Sequence, residues 1–299
     1  MLNRRTIAAM FTASVITAIA VGPTHAARPI HPPGQAPDNP GERPLTEEEQ
    51  AASDRKVRAA AEYIASADAS GADLASLSCV APNSTDGAAD ATTESTTQAC
   101  TVPQEYLAVA ARDQVKGYYC GPAVGQVIAN YTWAVGVTAD KYSQGTIAGW
   151  MLTDAKGYTN APELAAGLDR ATAGSPRLPA NWAWVVTRLL DYDGDGILGD
   201  ELQNFVRSNI SGSKMPLAIP VKPYDATAKY HLSSWAKPVN SPGHWIAAYG
   251  WYSLWAGNDF SRIYYADSSR DEGGSTGKYW DPTRHLAEMI RVHTARFVW

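Results

Sequence analysis

Tryptophan and tyrosine carry more buriable apolar area than other side chains, and in this chain they are confined to one end. All ten tryptophans and fourteen of the fifteen tyrosines lie beyond residue 105. A hydrophobic core needs that area, so the folded domain is expected over 103–299. The preceding stretch, 27–102, reads differently. Residues 27–45 are Pro-rich and polar, which favours extended, unpacked chain. Residues 46–67, "TEEEQAASDRKVRAAAEYIASA", open with Thr46 as a cap and three glutamates in the first turn, then turn Ala-rich, and this predicts a helix. Residues 68–102 hold Ala, Ser, Thr and Asp with few large apolar side chains. They are expected to form a linker, and a propeptide covering the site is the competing reading.

Residues 1–26 have the three parts of a secretory signal peptide: the positive start Met1-Leu-Asn-Arg-Arg, an apolar run from Ile7 to about Val21, and Thr24-His25-Ala26 as the cleavage site. No segment is long and apolar enough to predict a membrane span. The expectation is a secreted protein. The net charge of −5 and the lack of a basic block argue against a nucleic-acid partner. Export also changes the meaning of the three cysteines, because outside the cell an even set pairs and an odd one is left over. Cys79 and Cys100 share one small-residue segment and are expected to form a disulfide, leaving Cys120 as the free thiol. A disulfide from Cys120 to either of them is the alternative.

Within 103–299 the apolar spacing predicts helices over Cys120–Trp133, 143–152, 160–170, Trp182–Leu190 and Glu201–Ile210. Strands are predicted in "MPLAIPVK", "HWIAAYGWY", "SRIYYADS" and the final "ARFVW". Helices first and antiparallel strands later make the fold class α+β.

Cys120 opens its helix in the setting "DQVKGYYCGPAVGQVIANY". A helix N-terminus and an imidazole partner both favour a thiolate. Among the histidines, His244 stands at the start of the most convincing strand, and Asp267 ends the next one. In an antiparallel hairpin those positions come close to facing one another. A carboxylate there can accept the proton of one ring nitrogen while the other faces the thiol. On this reading Asp267→Asn would cost less turnover than the loss of Cys120 or His244, keeping the orientation and losing the charge. A tetrahedral oxyanion also needs donors, and the Gln114 amide with the Cys120 backbone N–H can supply them.

The segments "Q-x5-C-G-P-A", "SQGTIAGWMLTDAKGYT", "MPLAIPV", "GHWIAAYGW" and "YYADSS" together resemble the papain-like cysteine peptidases. They resemble in particular the bacteriocin leader-processing (double-glycine) branch and its secreted single-domain relatives. The resemblance covers about 102–299. It implies a papain-like fold, with an N-terminal helical part packed on a C-terminal antiparallel sheet. It also implies Cys120 as nucleophile, His244 as general base, Asp267 as its orienting partner and Gln114 as oxyanion donor, acting on a peptide or protein substrate with no required cofactor. The chain carries no P-loop of the kind that the transporter-linked members have, so their substrate recognition is not implied. A non-catalytic domain binding peptide or cell-wall glycan, and a transglutaminase-type acyl transferase, are the alternatives. Gly273-Gly274 is similar to the branch's leader signal, and a surface turn is the plainer reading.

One insertion, "LLDYDGDGILGDELQNF", lies outside this pattern. Asp191, Asp193, Asp195 and Gly196 match positions 1, 3, 5 and 6 of a calcium loop, with the Ile197 carbonyl at 7. Position 12 is Leu202, so a calcium loop here has to be contracted, with Asp200 or Glu201 as its last carboxylate. A structural Ca2+ and a plain acidic turn are both open.

Overall fold

The computed structural model describes residues 43–69, 104–153, 158–224, 229–238, 243–253, 261–269 and 273–299. The expected signal peptide and the expected Cys79–Cys100 pair lie outside the described residues.

The first helix, α1 (Glu47–Ala69), begins as the sequence predicts. Thr46 Oγ1 accepts the Glu49 N–H at 3.2 Å and Glu49 Oε2 accepts the Thr46 N–H at 2.7 Å. This reciprocal pairing satisfies two donors that a helix start otherwise leaves open. One face of α1 lies on the aromatic-rich part of the chain. Ser53 Oγ and Thr187 Oγ1 are 2.9 Å apart, and Lys56 Nζ sits 3.7 Å from the centroid of the Trp182 ring. Burial pushes the Lys56 ammonium well below its usual range.

Five further helices follow: α2 (Cys120–Thr132), α3 (Gln144–Trp150), α4 (Ala161–Thr172), α5 (Leu198–Arg207) and α6 (Thr283–Arg291). A π-helical turn, Ser208–Gly212, extends α5. Every residue of α2 is buried. It packs on α3 and α4 and on strand β4 (His244–Tyr252). Its Gly125 comes so close to α3 that an added Cβ would stand 2.5 Å from Met151 Cε.

The other strands are β1 (Gln104–Tyr106), β2 (Val186–Arg188), β3 (Leu217–Val221), β5 (Arg262–Asp267), β6 (Gly277–Pro282) and β7 (Arg296–Val298). They form one seven-stranded sheet in the order β2-β7-β3-β4-β5-β6, with β1 also paired to β4. Every pairing is antiparallel. The class is therefore α+β, with helices packed on an antiparallel sheet.

The predicted helix over Trp182–Leu190 is corrected by this sheet. The segment is extended, and Val186–Arg188 pairs with β7 from Val186↔Val298 to Arg188↔Arg296. Its Trp-Val-Val-Thr run is β-branched and aromatic, a composition that packs well on a pleated surface. The Val185 N–H donates to Trp299 O at 2.9 Å and the Trp299 N–H to Val185 O at 3.1 Å. Strands β1 and β6 and helix α6 are not foreseen from the sequence. Among the described residues no helix is long and apolar enough to cross a membrane.

Candidate active site

Cys120 is the first residue of α2, as its position before Gly-Pro-Ala predicts, and it is a free, buried thiol. The preceding residue, Tyr119, makes no side-chain capping hydrogen bond. No capping side chain therefore stands between the positive end of the helix and the sulfur. Gly121 has a packing reason. A Cβ there would meet Thr159 Oγ1 at 2.5 Å and Thr159 Cβ at 2.7 Å. Thr159 is held in turn, because its carbonyl accepts the Trp245 Nε1–H at 2.9 Å. The start of α2 is thus pinned to the strand that carries His244.

Strands β4 and β5 run in register from Ala247↔Ala266, with a shift between Ala248 and Gly250. Extending that register sets Asp267 opposite Ile246, two residues from His244 and on the same face, a diagonal that long side chains span. His244 Nε2 lies 2.7 Å from Asp267 Oδ1. A carboxylate only accepts, so Nε2 carries the proton and Nδ1 is left for the thiol. Burial opposes a charged His244 ring. The Asp267 carboxylate outweighs it, a hydrogen bond with Cys120 adds to the same side, and the pKa is raised to about 10. Burial likewise works to raise the Asp267 carboxyl, but the facing imidazolium and the hydrogen bonds to it leave its pKa lowered.

Asp267 is 1% exposed and accepts four hydrogen bonds. Besides His244, Oδ1 accepts the Ser269 N–H at 2.8 Å. Oδ2 accepts the Ser234 hydroxyl at 2.6 Å and the Trp235 Nε1–H at 3.1 Å. The Trp235 ring also stands edge-on to the His244 ring, with centroids 5.3 Å apart. The segment bearing Ser234 and Trp235 is anchored by a second buried carboxylate, Asp281, which accepts the Ser233 N–H at 3.0 Å and the Tyr265 hydroxyl at 2.7 Å. On its other side Trp235 bridges to Gly274, and the Ala236 N–H donates to Gly273 O at 2.8 Å. The double glycine therefore forms a close-packed support for the Trp235 segment. Sequence reasoning missed Ser234 and Trp235. The one available signal was a tryptophan in a stretch without periodicity, whose indole N–H needs a partner once buried.

Gln114 is buried beside this group. Its backbone N–H donates to Ser268 O, and its side-chain Nε2 donates to Gly117 O, both at 2.9 Å. Two buried glutamines hold the segment from the helical side. Gln144 Nε2 donates to Asp113 O at 2.7 Å, and Gln144 Oε1 accepts the Val115 N–H at 2.9 Å. Gln126 Oε1 receives a further Gln144 N–H at 3.0 Å. Helices α2 and α3 thus fix the Gln114 segment against the end of β5. Gln114 and Cys120 from one stretch of the chain, and His244 and Asp267 from two distant strands, are brought into one neighbourhood.

One more histidine borders the site. Burial pushes the His293 pKa down to about 4, with Lys222 and His244 adding to the effect. A Cβ on Gly243 would lie 2.2 Å from His293 Nε2, so the glycine before His244 is required by that ring.

The acidic insertion forms the connection from β2 to α5. Of its six candidate ligands the structure gathers three, Asp191, Asp193 and Glu201, as a cluster. Asp195 is exposed and its Oδ1 accepts the Ile197 N–H at 2.7 Å. Ile197 precedes α5 as its cap residue, and Asp200 lies in the first turn, one residue ahead of the clustered Glu201.

No family model and no curated protein matches the chain. Among solved structures, it is similar to the peptidase domain of Streptococcus ComA, a bi-functional ABC transporter involved in a quorum-sensing pathway. Identity is 13%, the TM-score is 0.28, and the match covers 64% of this chain and 96% of that one. A likeness of that degree is distant, and the side-chain geometry has to carry the functional reading.

Proposed function

We propose that the chain is an exported cysteine peptidase or amidase with a papain-like arrangement, acting through an acyl-thioester on Cys120. The observation that carries the reading is the His244 ring, held through Nε2 by a buried, four-fold hydrogen-bonded aspartate, with the free thiol of Cys120 among the groups that act on the ring. A histidine that merely fills a core does not need a carboxylate so fully satisfied, nor a thiol at a helix start.

The steps follow from those positions. Cys120 sulfur, paired with the His244 imidazolium, attacks a carbonyl carbon. The developing oxyanion takes donors from the Cys120 backbone N–H and the Gln114 side chain, as the resemblance implies. His244 gives its proton to the leaving amine, then takes one from water as that water attacks the thioester. Asp267 keeps Nε2 protonated throughout and stabilises the charged ring. With an amine in place of water the same residues would transfer the acyl group, so the two outcomes are separated by the acceptor.

The aromatic excess does not favour a binding module. Among the described tryptophans and tyrosines only Tyr106, Tyr158 and Trp280 are exposed, and Arg262 covers the Trp280 ring at 3.9 Å.

The reading is tested by the alkylation rate of Cys120 with iodoacetamide near pH 6, against a free thiol and against His244→Ala. Faster alkylation than the free thiol, lost in His244→Ala, supports it. A Cys120 that reacts at the same rate in both proteins overturns it. Incubation with peptide mixtures, with and without added amine, then reads hydrolysis against acyl transfer by mass spectrometry.

A further inference from the structure

The acidic connection between β2 and α5 has no part in the proposed chemistry, yet its side chains are arranged around one point. Glu201 stands in the first turn of α5 and is only 7% exposed. It folds back over the loop, and its Oε1 accepts the Tyr192 N–H at 2.9 Å. Its other oxygen, Oε2, is buried and accepts no hydrogen bond. A buried carboxylate oxygen with no donor carries a desolvation cost that something else has to offset.

Carboxylate oxygens of Asp191, Asp193 and Glu201 all lie within 4.8 Å of one another. Two oxygens bound to the same calcium at 2.3–2.6 Å can stand up to about 5 Å apart, so one cation reaches all three. The chain is already shaped for it. Asp191 Oδ2 accepts the Gly196 N–H at 3.1 Å, and Gly194 and Gly196 both have φ of +83°. Glycine at those positions lets the backbone turn sharply enough to keep the carboxylates on the inside.

We propose that this loop binds one Ca2+ through Asp191, Asp193 and the buried Oε2 of Glu201. The register has eleven positions where a standard loop has twelve, and Glu201 supplies the last ligand one residue early. Hard oxygen donors without a fixed octahedral arrangement suit calcium better than magnesium, which demands near-octahedral geometry. The ion would act on the fold. Tyr192, between two of the ligands, sets its ring edge-on to Phe205 at 5.8 Å and donates its hydroxyl to Arg188 O at 3.0 Å. Phe205 packs in turn on Phe297 and Trp299. Ordering the loop would therefore tie the start of α5 to β2 and to the aromatic core.

The test uses the full chain, freed of metal with a chelator and titrated with CaCl2 or MgCl2 by calorimetry and thermal unfolding. One Ca2+ per chain is expected. At ten times Kd, mass action multiplies the folding equilibrium about 11-fold, which raises Tm by about 3–6 °C for a domain this size. Glu201→Gln should weaken binding at least about tenfold without lowering the Tm of the metal-free protein. Asp193→Asn serves as the second variant, since Asp193 is exposed and its replacement leaves the fold alone. The proposal fails if Ca2+ up to about 10 mM, beyond the weakest extracellular sites, leaves Tm unchanged. It also fails if Mg2+ gives the same shift, or if Asp193→Asn keeps the full response.

Discussion

Replacing Asp267 with asparagine is the substitution that most sharply separates a positioned catalytic carboxylate from a strand-ending acidic residue. The two side chains have the same shape, and from sequence alone the change is expected to cost less turnover than the loss of Cys120 or His244. For folding stability the structure argues a substantial cost. His244 Nε2 and the Ser269 N–H point at one oxygen, the Ser234 hydroxyl and the Trp235 Nε1–H at the other. All four donate to Asp267, and an asparagine has to present its NH2 to one pair; the Ser234 hydroxyl and a neutral His244 ring can turn to accept, but the Ser269 N–H or the Trp235 Nε1–H is then left facing a donor. Each buried donor left facing a donor costs about 1–3 kcal/mol. With the loss of the charged partner for His244, the total comes to about 3–5 kcal/mol, a large share of an ordinary domain's stability. Urea unfolding measures the loss, and titration of the His244 ring by NMR should show its pKa falling once the carboxylate is gone. Adding Trp235→Phe removes one of the four donors and lets the amide nitrogen face Ser234, whose hydroxyl can turn to accept. The double variant should therefore be less destabilised than the sum of the single ones. If Asp267→Asn unfolds within about 1 kcal/mol of the parent protein, too little for even one buried donor lost, the four-donor argument is wrong.

Turnover should vanish in Cys120→Ala, fall nearly as far in His244→Ala, and be little worse in the double variant, because residues acting as a unit are not additive. Additive losses in peptide hydrolysis would contradict that unit. Gln114→Ala should lower kcat about a hundredfold, the usual effect of one oxyanion donor, and a change confined to KM would remove it from that role. The His244–Asp267 contribution to stability should be highest between about pH 4 and 6.5, read as the difference in urea midpoint between the parent protein and His244→Ala. The raised His244 pKa makes its contribution full below its unfolded value of 6.5 and lost as pH rises through about 10. The lowered Asp267 pKa makes its own contribution full above 3.8 and lost as pH falls through the folded value. His244→Ala should flatten the alkaline decline, and an unchanged slope would refute the assignment. Gly121→Ala should cost about 1–3 kcal/mol by overpacking against Thr159, with Thr159→Gly restoring part of it in the same unfolding assay.

The candidate site residues were legible because their local settings are unusual for their types. A cysteine opening a buried helix, and a histidine and an aspartate at facing ends of a hairpin, each leave a mark within a few positions. The supports were not legible, since their reasons lie across the fold. Ser234 and Trp235 reach Asp267 over more than thirty residues, and Gln126 and Gln144 look like ordinary polar positions on helices until the Gln114 segment is laid beside them. The Trp182–Leu190 segment was misread because a short apolar run fits either period. Its pairing with the far end of the chain, which no local window contains, made it extended. Helix α6 and strand β6 were missed in the same way: Lys278 and Trp280 are exposed, and the strand is marked only by its register with β5.

The order of the sheet has a consequence for how the molecule comes into being. Strand β7 is the last of the described elements along the chain, yet it sits between β2 and β3, and its Val298 faces both Val186 and Ala218. Until residues 296–298 are available, β2 has no neighbour on that side and β3 has only β4. The ribosome therefore makes His244 and Asp267 well before the sheet holding them can close. Long-range pairings of this kind are slow to form, and they leave strand edges open to wrong partners in the meantime. The β4–β5 pairing that carries His244 and Asp267 lies away from that last strand, so the candidate site and the edge of the sheet are completed by different stretches of the chain.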